Sequence, residues 1–194
     1  MMNLNNQPVT VVGGGIVALR KVEGLIDCGA RVKIISIEFN PELRAYAAGR
    51  TIVLEQRPWQ NGDLSGAVLA IAATNDPVVN EAVSHEARSL GIPVNVVDVP
   101  KLCSFYVPAI YRNGDLCVAI SSAGSAPMFS GQVRRYLEKS GIGDALGSAM
   151  LETASARVEM DKNPPATYED RVKIMGKVVD DLFKEVDRKI RNGV

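Results

Sequence analysis

Gly13, Gly15 and Ala18 stand in a Gly-x-Gly-x-x-Ala spacing inside the stretch from Val9 to Lys21, VTVVGGGIVALRK. The β-prone run Val9 to Val12 predicts a buried parallel strand. The apolar spacing of Val17, Leu19, Val22, Leu25 and Ile26 predicts a helix over Val17 to Gly29. A glycine turn between such a strand and helix suits a dinucleotide. Gly13 permits the turn, Gly15 lets the backbone approach a pyrophosphate, and Ala18 lets helix and strand pack closely. The first helical N–H groups and the positive end of the helix dipole then face the phosphates. The alternative is a glycine-rich βα turn without a ligand.

The elements that must position this turn follow in a regular rhythm. Arg31 to Ile37 reads as the second strand and ends at Glu38. An acid at that position accepts hydrogen bonds from the adenosine ribose and repels a 2′-phosphate, which favours NAD over NADP; the alternative is a solvated loop glutamate. Asn40-Pro41 opens a short helix through Ala48, and Thr51 to Glu55 is a third strand. Ala67 to Ala73 is a continuous apolar run, hence a central strand buried on both faces, ending in Thr74-Asn75-Asp76-Pro77. A helix over Val78 to Leu90 and a fifth strand over Pro93 to Val97, ending at Asp98, complete the set. The fold class is α/β, an open doubly wound parallel sheet of Rossmann type. Ligands of such sheets lie beyond the carboxyl ends of the strands, where Gly13, Glu38, Thr74 and Asp98 all fall.

After Asp98 the rhythm changes. Ser104 to Tyr111 and Leu116 to Ser121 read as two strands joined at Arg112-Asn113-Gly114-Asp115, a hairpin signal. Its apolar residues (Phe105, Val107, Ile110, Val118, Ile120) need a cover, and a second subunit would supply one. Small residues and Pro127 precede a helix over Met128 to Lys139, whose N-terminus suits an anion or is simply well capped. From Gly141 the chain reads as mostly helical, with a break over Met160 to Thr167. The last helix, Tyr168 to Arg191, carries Val172, Met175, Val179, Leu182 and Val186 as an apolar stripe.

Composition narrows the classes. The 194 residues hold 22 Lys plus Arg against 22 Asp plus Glu, so no basic excess marks a nucleic-acid or membrane-surface binder. Cys28, Cys103 and Cys117 are far apart and form no CxxC pair, so neither a metal site nor a disulfide frame is expected. His85, the single histidine, reads as a surface residue. The first residues are polar and no apolar run reaches membrane-spanning length, so a soluble cytoplasmic protein is expected.

Five stretches together carry a family likeness: Val11 to Lys21 (VVGGGIVALRK), Ala70 to Asp76 (AIAATND), Asn95 to Lys101 (NVVDVPK), Ser104 to Pro108 (SFYVP) and Ala119 to Pro127 (AISSAGSAP). In order and spacing they resemble the precorrin-2 dehydrogenase family, which includes the N-terminal part of siroheme synthase and stand-alone forms. The likeness covers about residues 3 to 140; the C-terminal fifty or so match only in being helical.

The resemblance implies NAD-dependent oxidation of precorrin-2 to sirohydrochlorin in siroheme, cobalamin or alternative haem synthesis. Some members also insert iron into sirohydrochlorin, so Fe²⁺ or Co²⁺ enters as a possible substrate. The family layout implies an NAD-binding domain over 1–103, a hairpin-plus-helix dimerisation region over 104–143 and a small helical domain over 144–194, in a homodimer. Carried over by motif, Asp98 is the catalytic carboxylate, a general base or a substrate-orienting group. The alternative is a strand-end aspartate that caps a turn. The NAD-binding positions are Gly13, Gly15, Ile16, Val17, Ile37, Glu38 and Thr74. Ser122 and Gly124 would line the tetrapyrrole cleft; the family more often has glycine where Ala123 stands. Arg112, Arg134 and Arg135 are candidates to pair with the substrate's carboxylates, or serve only as solvating charge. No resident metal site is expected: the lone histidine is poorly placed and lacks a carboxylate–histidine cluster. Two other readings stay open, a protein that is chiefly a chelatase and a non-catalytic NAD-sensing dimer. The second lacks a basic helix pair as an output element.

Overall fold

The computed structural model describes residues 2–50, 52–123 and 125–191. They form two compact units divided between Val107 and Pro108.

The first unit alternates strand and helix. Strand β1 (Pro8–Val12) leads into α1 (Ile16–Asp27), β2 (Arg31–Ser36), α2 (Pro41–Ala47), β3 (Ile52–Gln56), β4 (Leu69–Ala72), α3 (Pro77–Ser89) and β5 (Val94–Val96). All five strands are parallel, in the order β3-β2-β1-β4-β5. The chain winds outward from β1 through β2 and β3, then returns to the other side of β1 for β4 and β5. The reversal point lies between β1 and β4, where such sheets open a crevice at their carboxyl edge. Every residue of β4 and β5 is buried, which explains the unbroken apolar run of β4. One face of the sheet packs Val9, Val11, Ile34 and Ile71 against Ala18, Leu19, Val22 and Leu25 of α1. The other packs Val12, Ala70, Ala72, Val94 and Val96 against Val83 and Ala87 of α3.

Helix starts follow local chemistry. Asn40 Oδ1 accepts from Glu42 N–H at 2.8 Å, and Asp76 Oδ1 accepts from the N–H groups of Val78 and Val79 at 2.9 and 3.3 Å. Pro41 and Pro77 occupy first-turn positions that need no donor.

The expected strand over Ser104 to Tyr111 is corrected: it begins only at Ala109. Residues 100–105 instead line the outer edge of β5. Ser104 N–H donates to Val94 O at 2.8 Å, and Val94 N–H donates to Ser104 Oγ at 2.8 Å. The β-prone segment thus satisfies the edge strand through one backbone bond and the Ser104 hydroxyl rather than a ladder.

The second unit holds the hairpin β6 (Ala109–Asn113) and β7 (Leu116–Ile120), then α4 (Pro127–Lys139), α5 (Ile142–Lys162) and α6 (Tyr168–Arg191). Asn113 pairs with Leu116, so Gly114 and Asp115 are the two turn residues, with Gly114 at φ +56°. The turn is a Gly-x type with Asn113 at the strand end. One face of the hairpin is covered within the chain. Tyr111 is buried over Gly143, where a Cβ would lie 2.1 Å from its hydroxyl, and Asn113 donates to Asp144 Oδ1 at 2.9 Å. Helices α5 and α6 meet through Ala145, Ala149, Leu182 and Val186. The break between them is shorter than expected, because α5 runs on to Lys162; α6 has the expected bounds. Thr167 caps α6, accepting from Asp170 N–H at 3.1 Å.

Candidate functional site

The carboxyl edge of the parallel sheet gathers the first-unit candidates. β1 pairs with β4 through Val12 and Ala72, and β4 with β5 through Ala72 and Val96. The residues that follow these strands are therefore neighbours: Gly13, Ala73 and Thr74, then Val97 and Asp98.

The glycine turn divides its work. Gly13 has φ +118°, and a Cβ on it would lie 2.2 Å from Ala73 O. Gly14 lies against the loop after β2, where a Cβ would sit 2.1 Å from Glu38 O. This middle glycine, not singled out from the sequence, lets the two loops meet, and Asn40 N–H donates to Gly14 O at 2.7 Å. Gly15 faces open space, with nothing within 4 Å of an added Cβ. It is the N-cap of α1, no side chain caps the helix, and no acidic residue occupies the first turn. Ile16 and Val17 are exposed, whereas Ala18 is fully buried. The first N–H groups of α1 thus open on uncrowded space at the positive end of the helix, and a diphosphate fits there.

Glu38 and Ile37 are exposed beside this turn. Their loop is tied down: Gln56 Nε2 donates to Ile37 O at 3.2 Å, and Arg44 Nη2 donates to Gln56 Oε1 at 2.6 Å. Thr74 starts the next loop. Its hydroxyl donates toward Asn80 Oδ1 at 2.8 Å and accepts from Asp76 N–H at 3.2 Å. Thr74 thereby shapes the N-terminus of α3.

Asp98 is exposed and left-handed, with φ +59°. It is the third residue of a tight turn closed by Val99 N–H donating to Val96 O at 3.3 Å, and Val97 N–H ties the turn to Ala72 O at 2.9 Å. A non-glycine residue in this region costs on the order of 1 kcal/mol or more, which Asp and Asn bear best. The Val-Asp-Val sequence carries no sign of this conformation.

The remaining candidates belong to the second unit. Ser122 accepts from Ala126 N–H at 3.0 Å, ahead of α4. Arg134 is paired with Glu138 at 2.6 Å, and Arg135 donates to Gln132 Oε1 at 2.7 Å. Arg112 is exposed on β6, opposite Cys117. Gly124 lies outside the described residues. His85 is exposed on α3. Among the described residues no three His, Cys, Asp or Glu gather where a metal ion could be held, and no helix is long and apolar enough to cross a membrane.

Just after β3, Arg57 donates to both carboxylate oxygens of Asp63 at 2.7 Å and also to Glu55. This guanidinium holds the Asp63 carboxyl below its ordinary value, and Asp63 in turn raises Arg57. Glu86 on α3 is buried and receives Gly62 and Leu64 N–H groups at 3.0 and 3.1 Å. Not singled out from the sequence, it anchors the loop before β4.

A family model described as "Putative NAD(P)-binding" matches residues 1–109, more than half of the chain. The chain belongs to this NAD(P)-binding family. Its relatives include the siroheme synthases of Ectopseudomonas mendocina, 46% identical over 135 residues, and of Methylobacillus flagellatus, 47% identical over 138. These matches cover 70% and 71% of this chain but 29% of each relative, so the chain spans under a third of their length. The solved structure of SirC, precorrin-2 dehydrogenase, superposes with a TM-score of 0.75 at 21% identity, over 99% of this chain and 98% of that one. The expected parallel sheet and helical C-terminal region are thus a fold shared with SirC, and the motif resemblance holds at the level of family.

Proposed function

We propose that the chain catalyses NAD-dependent oxidation of precorrin-2 to sirohydrochlorin, in the synthesis of siroheme or a related tetrapyrrole. One observation carries the reading: the uncapped glycine turn after β1 and Asp98 after β5 share the carboxyl edge of one parallel sheet, the glycine turn at the reversal of strand order and Asp98 two strands away. The kinship with siroheme synthases and the fold of SirC supply the substrate class.

The N–H groups of Ile16 and Val17 hold the cofactor diphosphate beside Gly13 and Gly15. Glu38 would accept hydrogen bonds from the adenosine ribose hydroxyls and exclude a 2′-phosphate, with Ile37 beside it to flank the cofactor; this would select NAD over NADP. Thr74 shapes the cofactor loop through Asn80. Bound NAD⁺ supplies a hydride acceptor. Asp98 accepts the proton that the macrocycle releases, or orients the macrocycle through a pyrrole N–H. Ser122, Arg112 and Arg134 receive the substrate's carboxylates, Arg134 exchanging its Glu138 partner. The protein works as a cytoplasmic homodimer. The start of α4 supports that contact, since Met128 and Phe129 there are 87% and 67% exposed.

The deciding experiment is anaerobic conversion of precorrin-2, followed by sirohydrochlorin absorbance, with NAD⁺, with NADP⁺ and without either. Turnover that requires NAD⁺ is expected. A folded protein that binds NAD⁺ and gives no turnover would sink the reading.

A further inference from the structure

The turn that carries Asp98 is braced from one side by a thiol. Val96 N–H donates to Cys103 Sγ at 3.2 Å, and the Cys103 thiol lies 3.2 Å from Val96 O and 3.5 Å from Val99 O. Val96 and Val99 are the two ends of the turn, joined by the bond from Val99 N–H to Val96 O. A single side chain therefore accepts from one end of the turn and donates its one hydrogen to a carbonyl at either end. Asn95, 7% exposed, sets the sulfur from behind: its Nδ2 donates to Phe105 O at 3.1 Å and approaches Sγ at 3.6 Å. Ser104 serves the same edge two residues earlier, at Val94, away from the turn.

Resting on the reading of Asp98 given above, we propose that Cys103 is the positioning residue that holds Asp98 in its left-handed conformation and thereby aims its carboxylate. The backbone of Asp98 stays at φ +59° only while its surroundings over-determine it. The tie from Val97 to Ala72 fixes the sheet side of the turn; Cys103 fixes the other. Without the thiol, Val96 N–H loses its acceptor, the turn opens, and the carboxylate spreads over several directions while the dinucleotide turn at Gly13–Gly15 is untouched. The effect thus falls on the chemical step rather than on cofactor binding.

The test compares full-length wild type with Cys103→Ala, Cys103→Ser, Ser104→Ala and Asp98→Asn. Thermal unfolding, NAD⁺ affinity, and kcat and KM for precorrin-2 across pH are measured for each. Cys103→Ala is expected to lower kcat at least tenfold and to displace its pH profile, with NAD⁺ affinity within twofold of wild type. Cys103→Ser, which keeps a donor and an acceptor, is expected to restore most of kcat. Ser104→Ala is expected to lower the unfolding temperature while leaving kcat and the pH profile unchanged. If Asp98→Asn loses turnover while Cys103→Ala matches Ser104→Ala in kcat and pH profile, the role of Cys103 is overturned and that of Asp98 survives. If Asp98→Asn turns over like wild type, the reading of Asp98 fails and this inference falls with it.

Discussion

The Gly13 backbone lies so close to Ala73 that a Cβ on Gly13 would sit 2.2 Å from the Ala73 carbonyl oxygen. The contact fixes the mouth of the crevice, because it joins the ends of β1 and β4 where the strand order reverses. It also separates two glycines that look alike in the sequence. Gly13→Ala must displace backbone and adopt φ +118°, and is expected to cost about 3 kcal/mol or more. Gly15→Ala meets no atom within 4 Å, so stability is expected to stay within about 1 kcal/mol of wild type. Its methyl group instead occupies the diphosphate cradle and should weaken NAD⁺ binding at least tenfold. Denaturant unfolding and NAD⁺ titration of both variants check the contrast; equal stability losses would contradict it.

Asp98 combines strain with proposed chemistry, and the two can be separated. Asp98→Gly relieves the left-handed backbone and is expected to leave stability equal to wild type or higher by about 1 kcal/mol. Asp98→Asn keeps a side chain that tolerates the same conformation. Both variants are expected to lose turnover by about 100-fold or more, the contribution of a general base. Retained turnover in a stable Asp98→Asn protein would remove the carboxylate from the chemistry.

Much of this edge was legible in the sequence because it is encoded locally. The Gly13-x-Gly15-x-x-Ala18 spacing fixes a strand, a turn and a helix within one short stretch, and Pro41 and Pro77 mark helix starts by their missing donors. The amphipathic repeat of α6 is long enough to fix both of its ends. What was not legible depends on partners distant in sequence. Gly14 is needed because Glu38 O comes against it. Glu86 is buried because the Gly62–Leu64 backbone needs an acceptor. Ser104 to Val107 has strand-forming residues but spends Ser104 on capping the edge of β5, a tertiary demand that overrides propensity.

Cofactor choice should reside in the loop after β2. Glu38 is exposed there, on a loop pinned by Gln56 and Arg44. Glu38→Ala is expected to narrow the preference for NAD⁺ over NADP⁺ at least tenfold, chiefly by weakening NAD⁺. Gln56→Ala, which frees the loop while keeping the acid, is expected to weaken NAD⁺ by a smaller factor. An unchanged ratio of the two dissociation constants in Glu38→Ala would show that the acid does not read the ribose.

Association can be tested at the start of α4. Phe129 and Met128 are large, apolar and exposed on the second unit. Phe129→Glu would place a charge in any interface that buries this face and is expected to convert a dimer to a monomer in sedimentation, with unfolding temperature tracking protein concentration only in wild type. A dimer that persists in Phe129→Glu would exclude this face as the contact.

The last prediction concerns acid stability. The Arg57 guanidinium beside Asp63 holds its carboxyl below the ordinary value of 3.8, with further help from Gln60 N–H. A carboxyl depressed in the folded state binds a proton later than in the unfolded chain as pH falls. Between the two values the unfolded state carries more protons, so stability rises with pH there. The contribution is complete above 3.8 and is lost as pH falls below that value through the folded one. Asp63→Asn is therefore expected to cost about 1–2 kcal/mol at pH 7, where the bidentate pair is lost. The cost should shrink as pH falls below 3.8. Denaturant unfolding of wild type and Asp63→Asn from pH 7 to pH 2 reads this difference directly. Parallel curves, with a constant gap over the whole range, would show that the ion pair does not govern the acid limb.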